Sequence, residues 1–168
     1  TKAIILVHLN GRAANVSETQ RIVEGKGIAV IEDAAQAIGS RNGIGLLGTQ
    51  SDVGCFSLSV AKTFGTGQGG FSITKNDEIA YRLRAMRTHG VENVKDPQKW
   101  LMPGLNFRFT DIAASIGLVQ LGKLENRLER ARRIYRWYAN ELSGCHGLND
   151  VPIYIDQGEV PLYNEFLC

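Results

Sequence analysis

Two apolar runs enclose a lysine and a glycine-rich turn in residues 56–73, which read FSLSVAKTFGTGQGGFSI. The first run predicts a buried strand, and Lys62 follows where that strand ends. Open α/β sheets build their ligand sites at the carboxyl ends of their strands. An amine in a partly dry pocket there loses its proton more readily and becomes a nucleophile toward aldehydes. The alternative is a solvated lysine at the end of a strand.

The strand pattern continues on both sides of this stretch. Continuous apolar runs predict four strands, at residues 3–8, 28–33, 53–59 and 70–74. Ser17 opens a capping-box pattern between the first two runs, and Asn76 is a helix cap after the fourth. This alternation predicts an α/β fold with a mainly parallel sheet and flanking helices. No helix separates the third run from the fourth, so the fourth strand can run antiparallel.

The second half of the chain predicts a long helix that begins at a Thr110 cap. Apolar residues recur in it at spacings of three and four, which suits packing against another helix or subunit. The stripe comprises Leu121, Leu124, Leu128, Ala131, Tyr135, Tyr138 and Leu142. We therefore divide the chain into an α/β portion (1–109), a connecting helix (110–143) and the start of a small C-terminal domain (144–168).

Basic residues follow the other face of this helix, from Lys123 to Arg136. Glu125 and Glu129 are interspersed among them, which favours a solvated helix face over a nucleic-acid site. A formal net charge of +2 over 168 residues likewise predicts no nucleic-acid partner, and no apolar run is long enough to cross a membrane.

Three cysteines, Cys55, Cys145 and Cys168, are widely spaced, which disfavours a metal site or a disulfide framework and suits a reducing cytoplasm. Cys55 lies within an apolar run and is expected in the core rather than in catalysis. Both ends of the chain fall within strand-like segments, as expected for a piece of a longer polypeptide.

Three polar residues stand at the predicted strand ends beside Lys62. Asp33 ends the second run, and Gln36 follows one turn later if residues 34–37 (AAQA) are helical. Ser57 ends the third run, where its hydroxyl can bind a phosphate oxygen. The alternatives are a helix cap for Asp33, an exposed amide for Gln36 and a backbone contact for Ser57.

Together these groups match the needs of pyridoxal 5′-phosphate. The lysine forms a Schiff base, and the carboxylate keeps the pyridine nitrogen protonated so that the ring accepts electrons. The GTGQGG turn alone is weak evidence for phosphate binding, because it lacks the lysine–serine pair of a Walker motif. Asn106 and Arg108 lie before the long helix, placed for a ligand, a neighbouring subunit or a helix cap.

The chain resembles the DegT/DnrJ/EryC1 sugar aminotransferases, which have the aspartate-aminotransferase-like fold. The matching stretches are VHLNG, VIEDAAQAIGS, FSLSVAK with GTGQGG, MRTHG and GLNFRFTDIAASIGLVQLGKLE. The resemblance implies that Lys62 is the Schiff-base lysine and proton shuttle, and that Asp33 pairs with the pyridinium nitrogen. It implies that Gln36 lies near the phenolic oxygen, that Ser57 binds the phosphate and that Asn106 reaches the partner subunit's cofactor.

The resemblance also implies a reaction and a partner. Such enzymes move an amino group from glutamate to a nucleotide-linked keto sugar, and they share active sites in a homodimer. Members of the family are longer chains, Gln68 stands where they usually carry glutamate, and Asn10 replaces a common aromatic. A lysine at position 62 argues against the related dehydratases, which carry histidine there. The rival readings are an inactive remnant that serves in binding or assembly, and a nucleotide-binding α/β domain without covalent chemistry.

Overall fold

A four-stranded sheet in the order β1-β2-β3-β4 lies at the centre of the protein. The computed structural model describes residues 1–93 and 95–167. The strands are β1 (Ala3–Val7), β2 (Ala29–Asp33), β3 (Val53–Ser57) and β4 (Gly70–Ile73). The first three are parallel, and β4 pairs with β3 in the antiparallel direction. The predicted α/β class and the reversal of the fourth strand are confirmed.

Among the described residues, four α-helices and two short antiparallel strand pairs lie outside this sheet. The helices are α1 (Val16–Val23), α2 (Asp77–Arg87), α3 (Asp111–Leu121) and α4 (Leu124–Glu141). β5 (Val91–Asn93) pairs with β6 (Asp96–Trp100), and β7 (Asn149–Asp150) pairs with β8 (Phe166–Leu167). None of the helices in the described residues is long and apolar enough to cross a membrane. Cys168 lies outside the described residues.

Side-chain caps set the starts of three helices. Asn76 accepts the backbone N–H of Ile79, and Thr110 accepts that of Ala113, so both predicted caps are confirmed. The capping box at Ser17 is wrong, because the Asn15 side chain accepts the Glu18 N–H at 3.2 Å and begins α1 earlier. An asparagine is at least as strong a cap as a serine, and the earlier start adds helical residues.

The single long helix predicted for residues 110–143 is wrong. The chain turns at Gly122 and Lys123, where the Lys123 N–H bonds the Gln120 carbonyl three residues earlier. Glycine is a poor helix former because it has the most backbone freedom to lose. On either side of the break, α3 approaches the loop that carries Lys62 at Gly117 and α4 contacts it through Arg127.

Within the chain, the apolar stripe of α4 packs on turns and not on another described helix. Leu128 is buried and lies over Gly39, while Tyr135 forms a buried cluster with Ile153 and Ile155. The spacing therefore predicted a buried face correctly, but it could not specify what covers that face.

The two faces of the sheet differ in cover. One face packs on the turns of residues 34–51, where Ala34, Ala37 and Leu47 form a buried cluster. On the other face Ile5 is 63% exposed and Val7 is 50% exposed. The expectation that β1 is covered on both faces is therefore not met by the described residues.

Gly39 provides a test of how α4 packs on the turns of residues 34–51. Its φ is +80°, and a Cβ there would lie 2.5 Å from a methyl carbon of Leu128. We expect Gly39→Ala to lower the free energy of unfolding by about 2 kcal/mol, through backbone strain and displacement of Leu128. Gly43→Ala is the control, because a Cβ there meets nothing within 4 Å. Equal urea-denaturation midpoints for the two variants would contradict the close packing of Leu128 on Gly39.

Candidate functional site

The end of β2 sends two neighbouring carboxylates to opposite faces of the sheet. Side chains alternate along a strand, so Glu32 points to the covered face and Asp33 to the open one. Asp33 is in register with Cys55 on β3, which places both on the same face. Ser57 comes two residues after Cys55 and therefore also shares this face. The sheet thus brings Asp33 and Ser57 together at the carboxyl ends of parallel strands, as predicted.

Glu32 is completely buried and accepts five hydrogen bonds. Its Oε1 accepts from His8 Nε2 at 2.9 Å and from the Gly48 N–H at 2.7 Å. Its Oε2 accepts from the Gln50 N–H at 2.7 Å and from both the N–H and the hydroxyl of Ser51 at 2.8 Å. This carboxylate joins β1 and β2 to the turn that leads into β3.

The hydrogen bonds also keep the Glu32 carboxyl ionised. Burial raises the pKa of Glu32, but the donors from His8, Ser51, Gly48 and Gln50 outweigh burial and hold the pKa at about 2. The Ala14 N–H donates to His8 Nδ1 at 3.0 Å, so the imidazole proton on Nε2 is the one given to Glu32.

Gln36 lies beside the short turn of Leu9–Gly11 that follows β1, and it is not on a helix. The helical reading of residues 34–37 is wrong, because the N–H of Ala37 bonds the Ala34 carbonyl and that of Ser40 bonds the Ala37 carbonyl in consecutive tight turns. Gln36 Oε1 accepts the Asn10 N–H at 2.7 Å. That bond orients the amide, and its Nε2 has no partner among the described residues.

Asn10 is a structural residue that the sequence analysis noted only as a departure from the family. It is buried with φ 52°, and its side chain makes three hydrogen bonds to the backbone of Leu162 and Tyr163. The dipeptide Asn10–Gly11 could have indicated a turn at this position, since asparagine and glycine tolerate left-handed backbone. Asn10 thus links Gln36 to residues 162–163, which lie more than 150 positions after Asn10 in the sequence.

Ser57 ends β3, and Lys62 lies in the loop that follows this strand. The Lys62 N–H closes a turn onto the Ser59 carbonyl, and its side chain is half-buried. Neither Lys62 nor Asp33 makes an ion pair with any described residue, so the amine and the carboxylate do not neutralise each other. The Ser57 Oγ accepts the Ser59 N–H at 3.3 Å, which leaves its own proton free to donate.

Asn106 belongs to a different part of the structure. It forms a bridge with Thr88, and its Oδ1 accepts from Arg108 Nε at 3.0 Å. No hydrogen bond or ion pair within residues 1–93 and 95–167 joins it to the other predicted site residues. Its neighbours Leu105 and Phe107 are 54% and 67% exposed, so the amide lies on an apolar surface.

A groove of about 1370 Å³ runs between β3, β4, α2 and α3. It includes Cys55, which is half-buried near the Ser72 hydroxyl, but Asp33, Gln36, Ser57 and Lys62 do not line it. The chemistry of those four residues, rather than the size of the groove, identifies the candidate site.

Comparison with known proteins identifies the family. A model described as the DegT/DnrJ/EryC1/StrS aminotransferase family matches residues 1–160, and the chain belongs to this family. The GDP-perosamine synthase of Caulobacter vibrioides is 34% identical over 146 residues, which make up 85% of this chain and 38% of the synthase. The chain spans about two fifths of the length of the curated relatives it matches.

Solved structures confirm the fold class. A DegT DnrJ EryC1 StrS aminotransferase from Brucella abortus is 32% identical with a TM-score of 0.85, over 96% of this chain and 42% of that one. The GDP-4-keto-6-deoxy-D-mannose-3-dehydratase of E. coli, which was solved with hydrated PLP, is 25% identical with a TM-score of 0.87. That match covers 99% of this chain and 46% of the dehydratase.

The buried carboxylate predicts how stability depends on pH. A pKa of about 2 instead of 4.5 means that folding favours the charged form of Glu32. That preference is worth about 3 kcal/mol above pH 5 and is lost as the pH falls toward 2. We expect Glu32→Gln to lower stability near neutral pH and to flatten its acid dependence, measured by urea denaturation across this range.

Glu125→Gln is the matched control, because Glu125 is an exposed carboxylate on α4. It should keep the wild-type dependence on pH. A Glu32→Gln variant with the wild-type slope would show that the buried network does not stabilise the folded state in this way.

Proposed function

We propose that this member of the family binds pyridoxal 5′-phosphate and transfers an amino group from glutamate to the ketone of a nucleotide-linked sugar. The observation that carries the proposal is the open face of the sheet, where Asp33 and Ser57 stand together and Lys62 follows in the next turn. The chain spans only part of its relatives, so the whole enzyme's activity is part of the proposal.

The unpaired functional groups of these side chains fit the cofactor. Asp33 accepts the Ala35 N–H with Oδ1, which leaves Oδ2 for a protonated ring nitrogen. Gln36 has its amide nitrogen free to donate to a phenolic oxygen, and the Ser57 hydroxyl can donate to a phosphate oxygen. Lys62 is the amine that would hold the aldehyde carbon.

Each residue then has one task. When bound, the cofactor supplies an electron sink for the carbanion that transamination requires. Asp33 keeps a proton on the ring nitrogen through its negative charge. Lys62 Nζ would act as the base that removes a proton from the amino donor and as the acid that gives it back. Ser57 and Gln36 would orient the cofactor through hydrogen bonds.

The names of the relatives support the substrate class. The Caulobacter relative is a GDP-perosamine synthase, and a 25% identical neighbour, DesI, was solved in the presence of its TDP-sugar product. Both names refer to nucleotide-linked sugars. Lysine at position 62, in place of the histidine of the related dehydratases, favours amino transfer over dehydration.

The proposal extends to a homodimer in the cytoplasm. The exposed apolar side chains on either side of Asn106 suit burial against a second copy, which would bring this amide to the partner's cofactor phosphate. The free thiols of Cys55 and Cys145 suit a reducing compartment.

Lys62→Ala tests the chemistry directly. We expect the wild-type protein mixed with pyridoxal 5′-phosphate to gain a visible absorbance band, and borohydride to attach the cofactor to Lys62. The Lys62→Ala variant should lose the band and amino transfer from glutamate while still folding, because the amine has no described partner. Lys75→Ala is the control, since Lys75 is exposed outside the site.

Three other outcomes would each change the assignment. Retained amino transfer in Lys62→Ala would contradict the role of Lys62. Attachment of the cofactor without transfer from glutamate would support the inactive remnant. Nucleotide binding with no modification of Lys62 would support the non-covalent domain.

A further inference from the structure

The lysine loop, residues 58–66, is closed at its base by buried residues. The Thr66 N–H donates to the Leu58 carbonyl at 2.8 Å, and each of these residues is 5% exposed. The Thr66 hydroxyl donates in turn to the Gln68 carbonyl at 2.8 Å. The base is therefore rigid, but Lys62 lies near the middle of the loop, where its own Ser59 contact spans only one turn.

The two helices that follow contact the loop from outside. α3 approaches at Gly117, where a Cβ would lie 3.2 Å from Thr66 Cγ2 and 3.9 Å from Phe64. α4 contributes Arg127, whose Nη1 donates to the Thr63 carbonyl at 3.0 Å across 64 residues of sequence. Thr63 directly follows Lys62, so this bond holds the backbone beside the lysine.

The dipole of α4 does not stabilise an arginine at position 127. It lies in the first turns of α4, where the macrodipole disfavours a positive charge. Its guanidinium instead makes a charge-assisted bond to a carbonyl of the lysine loop. The side chains of Arg130 and Arg133 on the same helix make no hydrogen bond or ion pair with the described residues, whereas those of Arg127 and Arg136 do.

We propose that Arg127 is a positioning residue that aims Lys62 by holding the Thr63 carbonyl. The Lys62 amine must approach one carbon of the cofactor and one proton of the substrate, and small misplacements of a reacting group slow such steps strongly. The inference rests on the proposed function, because it assigns Arg127 to the placement of the cofactor-binding lysine.

The test compares Arg127→Ala and Arg127→Lys with wild type, using Arg130→Ala as the control. The first readout needs no cofactor: hydrogen–deuterium exchange of residues 59–66 should accelerate in Arg127→Ala alone. The second is the rate at which borohydride attaches pyridoxal 5′-phosphate to Lys62. We expect this rate to fall by about tenfold or more in Arg127→Ala, given the steep effect of misplacement.

Arg127→Lys should recover much of the rate, because an ammonium group can still donate to the Thr63 carbonyl. The thermal midpoint should change little in either variant, which separates positioning from global stability. Should Arg127→Ala fail to fold, Arg127→Gln, which offers a single neutral donor, is expected to react more slowly than Arg127→Lys.

The outcomes separate the two proposals. If wild type is never labelled at Lys62, the proposed function fails, while faster loop exchange in Arg127→Ala still supports the contact. If wild type is labelled and both Arg127→Ala and Arg127→Gln match its rate, the positioning role is overturned. Equal loss in Arg130→Ala would also overturn it, since the effect would then reflect charge and not the bond to Thr63.

Discussion

The structure depends on one buried carboxylate. An ionised glutamate without water is costly unless its oxygens are fully hydrogen-bonded. Glu32 meets this condition with donors from His8 at the end of β1 and from residues 48–51 before β3. Any other placement of those segments would leave the charge unpaired, so Glu32 constrains the geometry at the ends of three strands.

The site follows from this constraint through the alternation of side chains along a strand. Because Glu32 is held on the covered face, Asp33 must project from the opposite one, where Ser57 also lies. The inner carboxylate is thus structural, while the outer one accepts a single described hydrogen bond, from the Ala35 N–H. Two adjacent carboxylates therefore have different surroundings because the sheet separates them.

Long-range contacts complete the surroundings of the site from both sides. Asn10 holds Gln36 through its backbone and residues 162–163 through its side chain. On the other side, α3 and α4 pack against the loop that follows β3. The side chains proposed to hold the cofactor are therefore oriented by segments far from them in sequence.

The sequence by itself determined the four strands and the caps at Asn76 and Thr110, because these features depend on neighbouring residues in the chain. It could not predict that residues 34–37 form turns, since Ala34 and Ala37 pack there against Leu47, which only folding brings beside them. It also could not assign partners to Glu32, Asn10 or Arg127. Tertiary structure alone decided those, because the hydrogen bonds that satisfy buried or desolvated polar groups join residues brought together only by folding.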